Sequence, residues 1–267
     1  MHVIVCVKQV PNPEISSSVF RVDEVAKKVV PVAGMSQVMS PFDEQALEAA
    51  LRIREKLGAA KITVLSLGPS SAKEVIKHGL SLGADEGVLL TDGAFEGADS
   101  YTTALALSEA IKKMGDYDLI LTGRQAADWD AGVVGCGIAE LLGIPAITFA
   151  KSVQIDKDTV RVERVLDDGF ETVETRLPAL VTISNELGAV RKANLRETMK
   201  AARKPTQIWS SSEIGIAAEQ VGSAGARRVL DRLFVPVKNI KCEMFDGNSP
   251  REAAASLVRR LREFKII

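Results

Sequence analysis

Histidine is nearly absent from this 267-residue chain, with His2 and His78 the only two. The three cysteines, Cys6, Cys136 and Cys242, stand far apart and form no C-x-x-C pair. A metal centre built from these side chains is therefore not expected. Nor is a Ser-His or Cys-His nucleophile, because His78 falls inside a predicted helix (Val75-Ile76-Lys77-His78) with no evident partner. No apolar run approaches the roughly 18 residues that a membrane span requires. The opening Met1-His2-Val3-Ile4-Val5-Cys6-Val7 is too short for a signal peptide and lacks its basic leader. It reads as the first strand of a cytoplasmic protein. A formal net charge of −1 leaves no basic excess for the phosphate backbone of nucleic acid. Neither G-x-G-x-x-G nor G-x-x-x-x-G-K-[ST] occurs, so neither a dinucleotide-fold dehydrogenase nor a P-loop NTPase is supported.

What is present centres on Leu119 to Glu140. A buried strand, Leu119 to Thr122, passes through a polar loop into a run of small residues, Ala131 to Ala139, that predicts a helix packed close to its neighbours. The backbone N–H groups at such a helix start favour an anion. Gly132 and Gly135 admit close approach of a ligand to the main chain, and Arg124 adds charge. An ordinary strand-to-helix turn with spare glycines explains the same residues. Both readings stand at this point.

Upstream, Val3–Val7, Lys61–Ser66, Gly87–Thr91 and Asp118–Thr122 read as apolar strands alternating with helices. The first helix carries a start signal at Ser40-Pro41-Phe42-Asp43-Glu44. Residues 19–32 read as an excursion of hairpin character. The alternation predicts an α/β fold with a doubly wound, mostly parallel sheet. Ligands of such sheets sit at the carboxyl ends of strands near the reversal of strand order. The exits Cys6-Val7-Lys8, Leu67-Gly68-Pro69 and Thr122-Gly123-Arg124, with Ser40-Pro41-Phe42, suit an adenine nucleotide.

After Gly143-Ile144-Pro145 the period changes to two, with strands at 151–155, 159–166, 170–175 and 179–183, an annexed β-hairpin. Ser184 to Lys204 holds six bases against Glu186 and Glu197, either a docking segment or a solvated linker. From Gln207 onward no strand rhythm compatible with the sheet is legible, and Trp209, Leu233, Phe234, Val235 and Phe245 lack an obvious home. Residues 205–267 are expected to form an arm that wraps a partner, beside an α/β nucleotide-binding domain over 1–190 and a basic recognition segment over 191–204.

The stretch Val162-Glu163-Arg164-Val165-Leu166-Asp167-Asp168-Gly169-Phe170-Glu171-Thr172-Val173, continued by Pro178 to Thr182, is the most specific in the chain, and further blocks stand in order at Val3–Val10, Met39–Glu44, Ser66–Pro69, Gly123–Ala126 and from Asn194 through Ala201. In these blocks the chain resembles the beta subunit of an electron transfer flavoprotein. The adenine-nucleotide-hydrolase-like fold of that family is what the resemblance implies, as is a heterodimer with an FAD-bearing alpha subunit. It implies electron transfer rather than bond-making catalysis, with an adenine nucleotide held in the beta subunit, AMP in housekeeping members and a second FAD in others, electron-bifurcating ones included.

Carried over by position, the nucleotide site comprises Cys6, Ser40, Pro41, Phe42, Asp43, Leu67, Gly123, Arg124, Gln125, Asp128, Asp130, Ala131, Gly132, Val133 and Val134. Leu195 takes the place of the leucine that anchors an acyl-CoA dehydrogenase. Gly132-Val133-Val134 replaces the Asn-Gln-Thr of housekeeping members, removing side chains that would crowd a longer ligand. Phe95 through Ser100 resembles the second-FAD group, with Asp99 or Ser100 expected to cap a helix beside the phosphate loop. A second FAD is favoured over AMP. The alternative class is an ATP-using hydrolase or pyrophosphatase on the same sheet, but Lys8-Gln9-Val10-Pro11 lacks its glycine-serine loop.

Overall fold

The computed structural model describes residues 1–16, 18–31, 34–236 and 242–267. They form two compact units, Met1–Arg21 with Val29–Asp231, and Val22–Lys28 with Arg232–Ile267.

The first unit is built on a nine-stranded sheet. Its strands are β1 (His2–Cys6), β2 (Lys61–Leu67), β3 (Glu86–Leu90), β4 (Leu119–Gly123), β5 (Ala146–Asp156), β6 (Thr159–Leu166), β7 (Gly169–Arg176), β8 (Ala179–Ile183) and β9 (Thr206–Trp209). The spatial order is β7-β6-β5-β8-β4-β1-β2-β3-β9. Every pairing is parallel except those of β6 with β5 and β7, which make the annexed hairpin. The helices longer than one turn are α1 (Pro41–Leu57), α2 (Lys73–Leu82), α3 (Ser100–Met114), α4 (Val134–Leu142) and α5 (Leu195–Ala201).

Short, continuous apolar strands form because both faces are covered. Val3, Val5, Ile62 and Val64 pack with Leu47, Ala50, Ile76 and Leu80 of α1 and α2. Ile4, Leu65, Ile120 and Leu180 pack on the other face with Leu107, Ile111 and Ile138 of α3 and α4. From β1 the chain steps to β2 and β3, then returns to place β4 on the opposite flank of β1. In sheets of this order the ligand crevice falls at the reversal, which here lies at the C-terminal ends of β1 and β4.

The structure departs from the sequence reading beyond residue 190. Thr206–Trp209 is a strand, pairing from Thr206↔Gly87 to Trp209↔Leu90. Trp209, Ile214, Ile216 and Val221 join the core on the α3 and α4 face. No rhythm betrayed β9 because its first three residues are exposed and only Trp209 turns inward. The preceding bases are partly staples. Arg191 pairs with Glu48 at 2.7 Å and with Glu55 at 2.7 Å, and Lys204 Nζ donates to the carbonyl of Leu80 at 2.9 Å. His78, expected to lack a partner, reaches Glu44 Oε1 at 2.9 Å and ties α2 to α1.

Of the expected excursion over 19–32, Val22–Asp23 and Lys28–Val29 are short strands, while residue 32 lies outside the described residues. The second unit holds α6 (Pro250–Glu263), capped where Ser249 Oγ accepts from Glu252 N–H at 3.3 Å. No residue of α6 is buried, and Leu257, Val258, Phe264, Ile266 and Ile267 are exposed. Residues 237–241 of the expected arm lie outside the described residues. No helix among the described residues is long and apolar enough to cross a membrane.

Candidate functional site

Pro41 at the first position of α1 places Asp43 in the first turn, against the ends of β1 and β4. The Asp43 carboxylate accepts the N–H of Lys8 at 2.8 Å and that of Gly123 at 3.1 Å. Burial pushes its pKa up to about 7, against the opposing pull of those two N–H groups. Burial, with Asp43 as a secondary cause, pushes the Cys6 thiol up to about 12, so this cysteine is not a thiolate at neutral pH. The fit is close enough to require glycine at 123, where a Cβ would stand 2.6 Å from Asp43 Oδ1.

The loop leaving β4 is anchored by Arg124, whose N–H donates to Ile183 O at 2.8 Å. Its guanidinium lies 4.9 Å over the Phe42 ring, and Nη1 stands 3.5 Å from Ser184 Oγ. Its Nε is buried without a partner among the described residues. Lys8 Nζ meets Asp128 at 2.6 Å, Gln125 donates to Asp130 at 2.8 Å, and Ser40 Oγ accepts from Ala127 N–H at 3.4 Å instead of capping α1. Asp130 at φ +49° and Gly132 at φ +67° keep the chain out of helix. Helix α4 therefore begins at Val134, later than the expected start near Ala131. Val133 offers no side-chain cap, so N–H groups of the first turn, at Val134, Gly135 and Cys136, have no capping side chain. Gly135 is wedged against the sheet, its absent Cβ 2.8 Å from Thr122 Oγ1 and 3.0 Å from Thr182 Cγ2.

The elements around the crevice thus bring together Cys6, Ser40, Pro41, Phe42, Asp43, Gly123, Arg124, Gln125, Asp128, Asp130, Ala131, Gly132, Val133 and Val134, with Leu67 at the exit of the adjacent strand. Just before it, Ser66 Oγ is buried without a partner among the described residues. An uncapped helix start, a guanidinium with an unmet N–H and an aromatic ring make a donor set that fits phosphate and purine.

Asp99 is differently employed. It caps α3 by accepting from Thr102 N–H at 2.9 Å, and its other oxygen accepts from Arg227 N–H at 2.7 Å and Arg228 N–H at 3.0 Å. Burial would raise its carboxyl, but these donors hold it below the ordinary carboxylate range. The neighbouring Glu96 carbonyl accepts Ser223 N–H at 2.8 Å, so the segment around 96–99 holds the chain around 223–228. Leu195 lies elsewhere, at the start of α5, 77% exposed, with Met199 one turn on at 68%. Ser184, at the exit of β8 beside Arg124, escaped the sequence reading, which counted the exits of β1, β2 and β4 but not the strand that pairs with β4 on its outer side.

Among the described residues no group of three or more His, Cys, Asp or Glu could hold a metal ion. A family model described as electron transfer flavoprotein domain matches residues 29–214. The chain is 39% identical, over the whole length of both, to an electron transfer flavoprotein subunit beta of Thermoanaerobacterium thermosaccharolyticum. It is 36% identical, again over both full lengths, to the caffeyl-CoA reductase-Etf complex subunit CarD of Acetobacterium woodii. A subunit beta from Clostridium acetobutylicum shares 36% identity across 98% of each chain.

Proposed function

The chain belongs to the electron transfer flavoprotein family, among its beta subunits, and from that premise we propose that it works in the cytoplasm as half of a heterodimer. The alpha subunit holds FAD, and the pair carries electrons between a dehydrogenase and a downstream acceptor. In this reading the crevice between β1 and β4 holds an adenine nucleotide. The observation that carries the site is Arg124, whose buried Nε has no partner among the described residues, beside a helix start without a side-chain cap. A phosphate would accept both sets of N–H groups. Phe42, already faced by the Arg124 guanidinium, offers an apolar surface to the purine.

We place a second FAD here rather than AMP. Gly132-Val133-Val134 contributes neither side-chain acceptors nor polar bulk to the entry of α4, and Ala131 through Val133 are exposed, which leaves room for a longer ligand. Asp99 lends this no support, because its carboxylate is engaged within the chain. When bound, a flavin supplies one- and two-electron chemistry, and the residues of this chain bind and orient it. Denaturing the purified heterodimer and quantifying the released nucleotides tests the assignment. Two FAD per heterodimer is expected; one FAD with one AMP removes the second flavin but keeps the site, and no nucleotide beyond the alpha subunit's FAD removes the site.

A further inference from the structure

Lys8 follows β1, and its backbone is fixed on both sides. Its N–H donates to the Asp43 carboxylate at 2.8 Å, and its carbonyl accepts Ser40 N–H at 2.9 Å. The next residue is held as well. Gln9 Nε2 donates to Ser71 O at 3.0 Å, and Gln9 Oε1 accepts from Ser71 Oγ at 2.8 Å, in the turn that follows β2. The Lys8 side chain is therefore a flexible stem on a rigid base. It is 42% exposed, and its Nζ meets both oxygens of the Asp128 carboxylate, Oδ2 at 2.6 Å and Oδ1 at 2.9 Å.

Asp128 does not depend on that lysine for its place. Its side chain is only 18% exposed, and Oδ1 also accepts Trp129 N–H at 3.0 Å. The loop around it is closed on itself, by Asp130 N–H on Ala126 O at 2.9 Å and by Gln125 Nε2 on Asp130 Oδ1 at 2.8 Å. The same loop ends at the start of α4, where no side chain caps the first turn. An anion seated on those N–H groups thus shares its loop with a carboxylate. The charges gathered at this place are unequally committed. The Arg124 guanidinium lies over Phe42 and reaches Ser184 Oγ, and Asp43 is bound by two backbone N–H groups. Lys8 is tied by a partly exposed ion pair alone, a kind that adds little to stability and exchanges readily.

We propose that Lys8 sets how many phosphates the crevice accepts: it leaves Asp128 for the second phosphate of an adenine nucleotide, and so favours a diphosphate-bearing nucleotide over a monophosphate. This rests on the nucleotide reading of the crevice. One phosphate is matched by the first-turn N–H groups of α4 and by Arg124 Nε. A second brings further negative charge to the loop that carries Asp128, and it is repelled unless a cation answers it. Lys8 answers it as a point charge without directional demand, while Asp128 keeps the Trp129 N–H.

The test uses the heterodimer with both subunits at full length, as wild type, Lys8→Gln and Asp128→Asn. Each is equilibrated with a large excess of ADP and AMP in equal amounts, freed of unbound nucleotide by gel filtration and denatured. The ratio of retained diphosphate nucleotide to AMP is then read, with any FAD beyond one per heterodimer counted with ADP. Because the ratio is internal to one sample, partial loss of folded protein leaves it unaffected. Lys8→Gln should lower the ratio at least about fivefold, and Asp128→Asn, which frees the lysine and removes a negative charge, should raise it about threefold or more. Both variants break the same ion pair, so a merely structural tie would move both in one direction. An unchanged ratio in Lys8→Gln would overturn the proposal, as would a fall in both variants. If the wild type retains neither ADP, nor AMP, nor a second FAD, the nucleotide reading fails and this inference falls with it.

Discussion

Where β1 and β4 end, the ladder runs out, and the N–H groups of Lys8 and Gly123 are satisfied by the single carboxylate of Asp43. Asp43→Ala should leave both unmet in a buried place and cost about 2–6 kcal/mol, at roughly 1–3 kcal/mol for each unsatisfied group. The pH dependence has a definite sign. Burial raises the folded-state pKa from 3.8 to about 7, so between those values the folded chain keeps a proton that the unfolded chain releases. This residue's contribution is therefore fully present below about pH 4, is lost as pH rises, and is flat above about pH 7. Urea midpoints at pH 5 and pH 8 should show that decline in the wild-type protein and a smaller one in Asp43→Asn, which does not ionise. An equal decline in both would assign it to other groups. Asp43 was legible as a first-turn acid, but its bridging of two strands was not, since that depends on which strands become neighbours. Asp99 likewise reads as a helix cap, whereas the Arg227 and Arg228 N–H groups it also accepts are joined to it only by the fold.

At the scale of elements, legibility followed burial. Strands β1, β2, β3, β4 and β8 are continuous apolar runs because helices cover both faces, and α1 announces itself through Pro41 and Gly58. The delayed start of α4 was not legible, because Gly132 looks like an ordinary small residue of a helix until its φ of +67° is known. Helix α5 illustrates a face without an internal purpose. It is capped by Asn194, which accepts from Glu197 N–H at 2.9 Å, and it buries Ala201 while leaving Leu195 and Met199 in solvent. Arg196 lies within it and Lys192 and Arg203 beside it, so a redox partner that docks here is expected to present an acidic surface with an apolar pocket. Leu195→Ala should slow electron exchange with that partner about tenfold or more while flavin content and thermal midpoint stay unchanged. Unaltered partner kinetics, measured by flavin absorbance at low ionic strength, would remove α5 from the docking surface.

For the whole molecule, the boundary between folded unit and arm governs what a truncation means. Stopping after Lys204 would delete β9 and take Trp209, Ile214, Ile216 and Val221 out of the core, residues now 8%, 6%, 7% and 0% exposed. At roughly 1.5–3 kcal/mol for each buried apolar side chain, that loss is on the order of the entire stability of a domain. A chain ending there would fail to bind a partner simply by failing to fold. Stopping after Asp231 is the informative cut, since it keeps every strand and the buried residues of both core clusters. It removes α6, no residue of which is buried, and with it the exposed Leu257, Val258, Phe264, Ile266 and Ile267. Apolar exposure on this scale suits a segment that finishes its packing on another chain. The chain ending at Asp231 should therefore unfold cooperatively near the wild-type midpoint yet lose the alpha subunit on a size-exclusion column, where the full chain retains it. If it keeps the alpha subunit with undiminished affinity, residues 232–267 are not the wrapping arm, and the heterodimer contact must rest on the first unit alone.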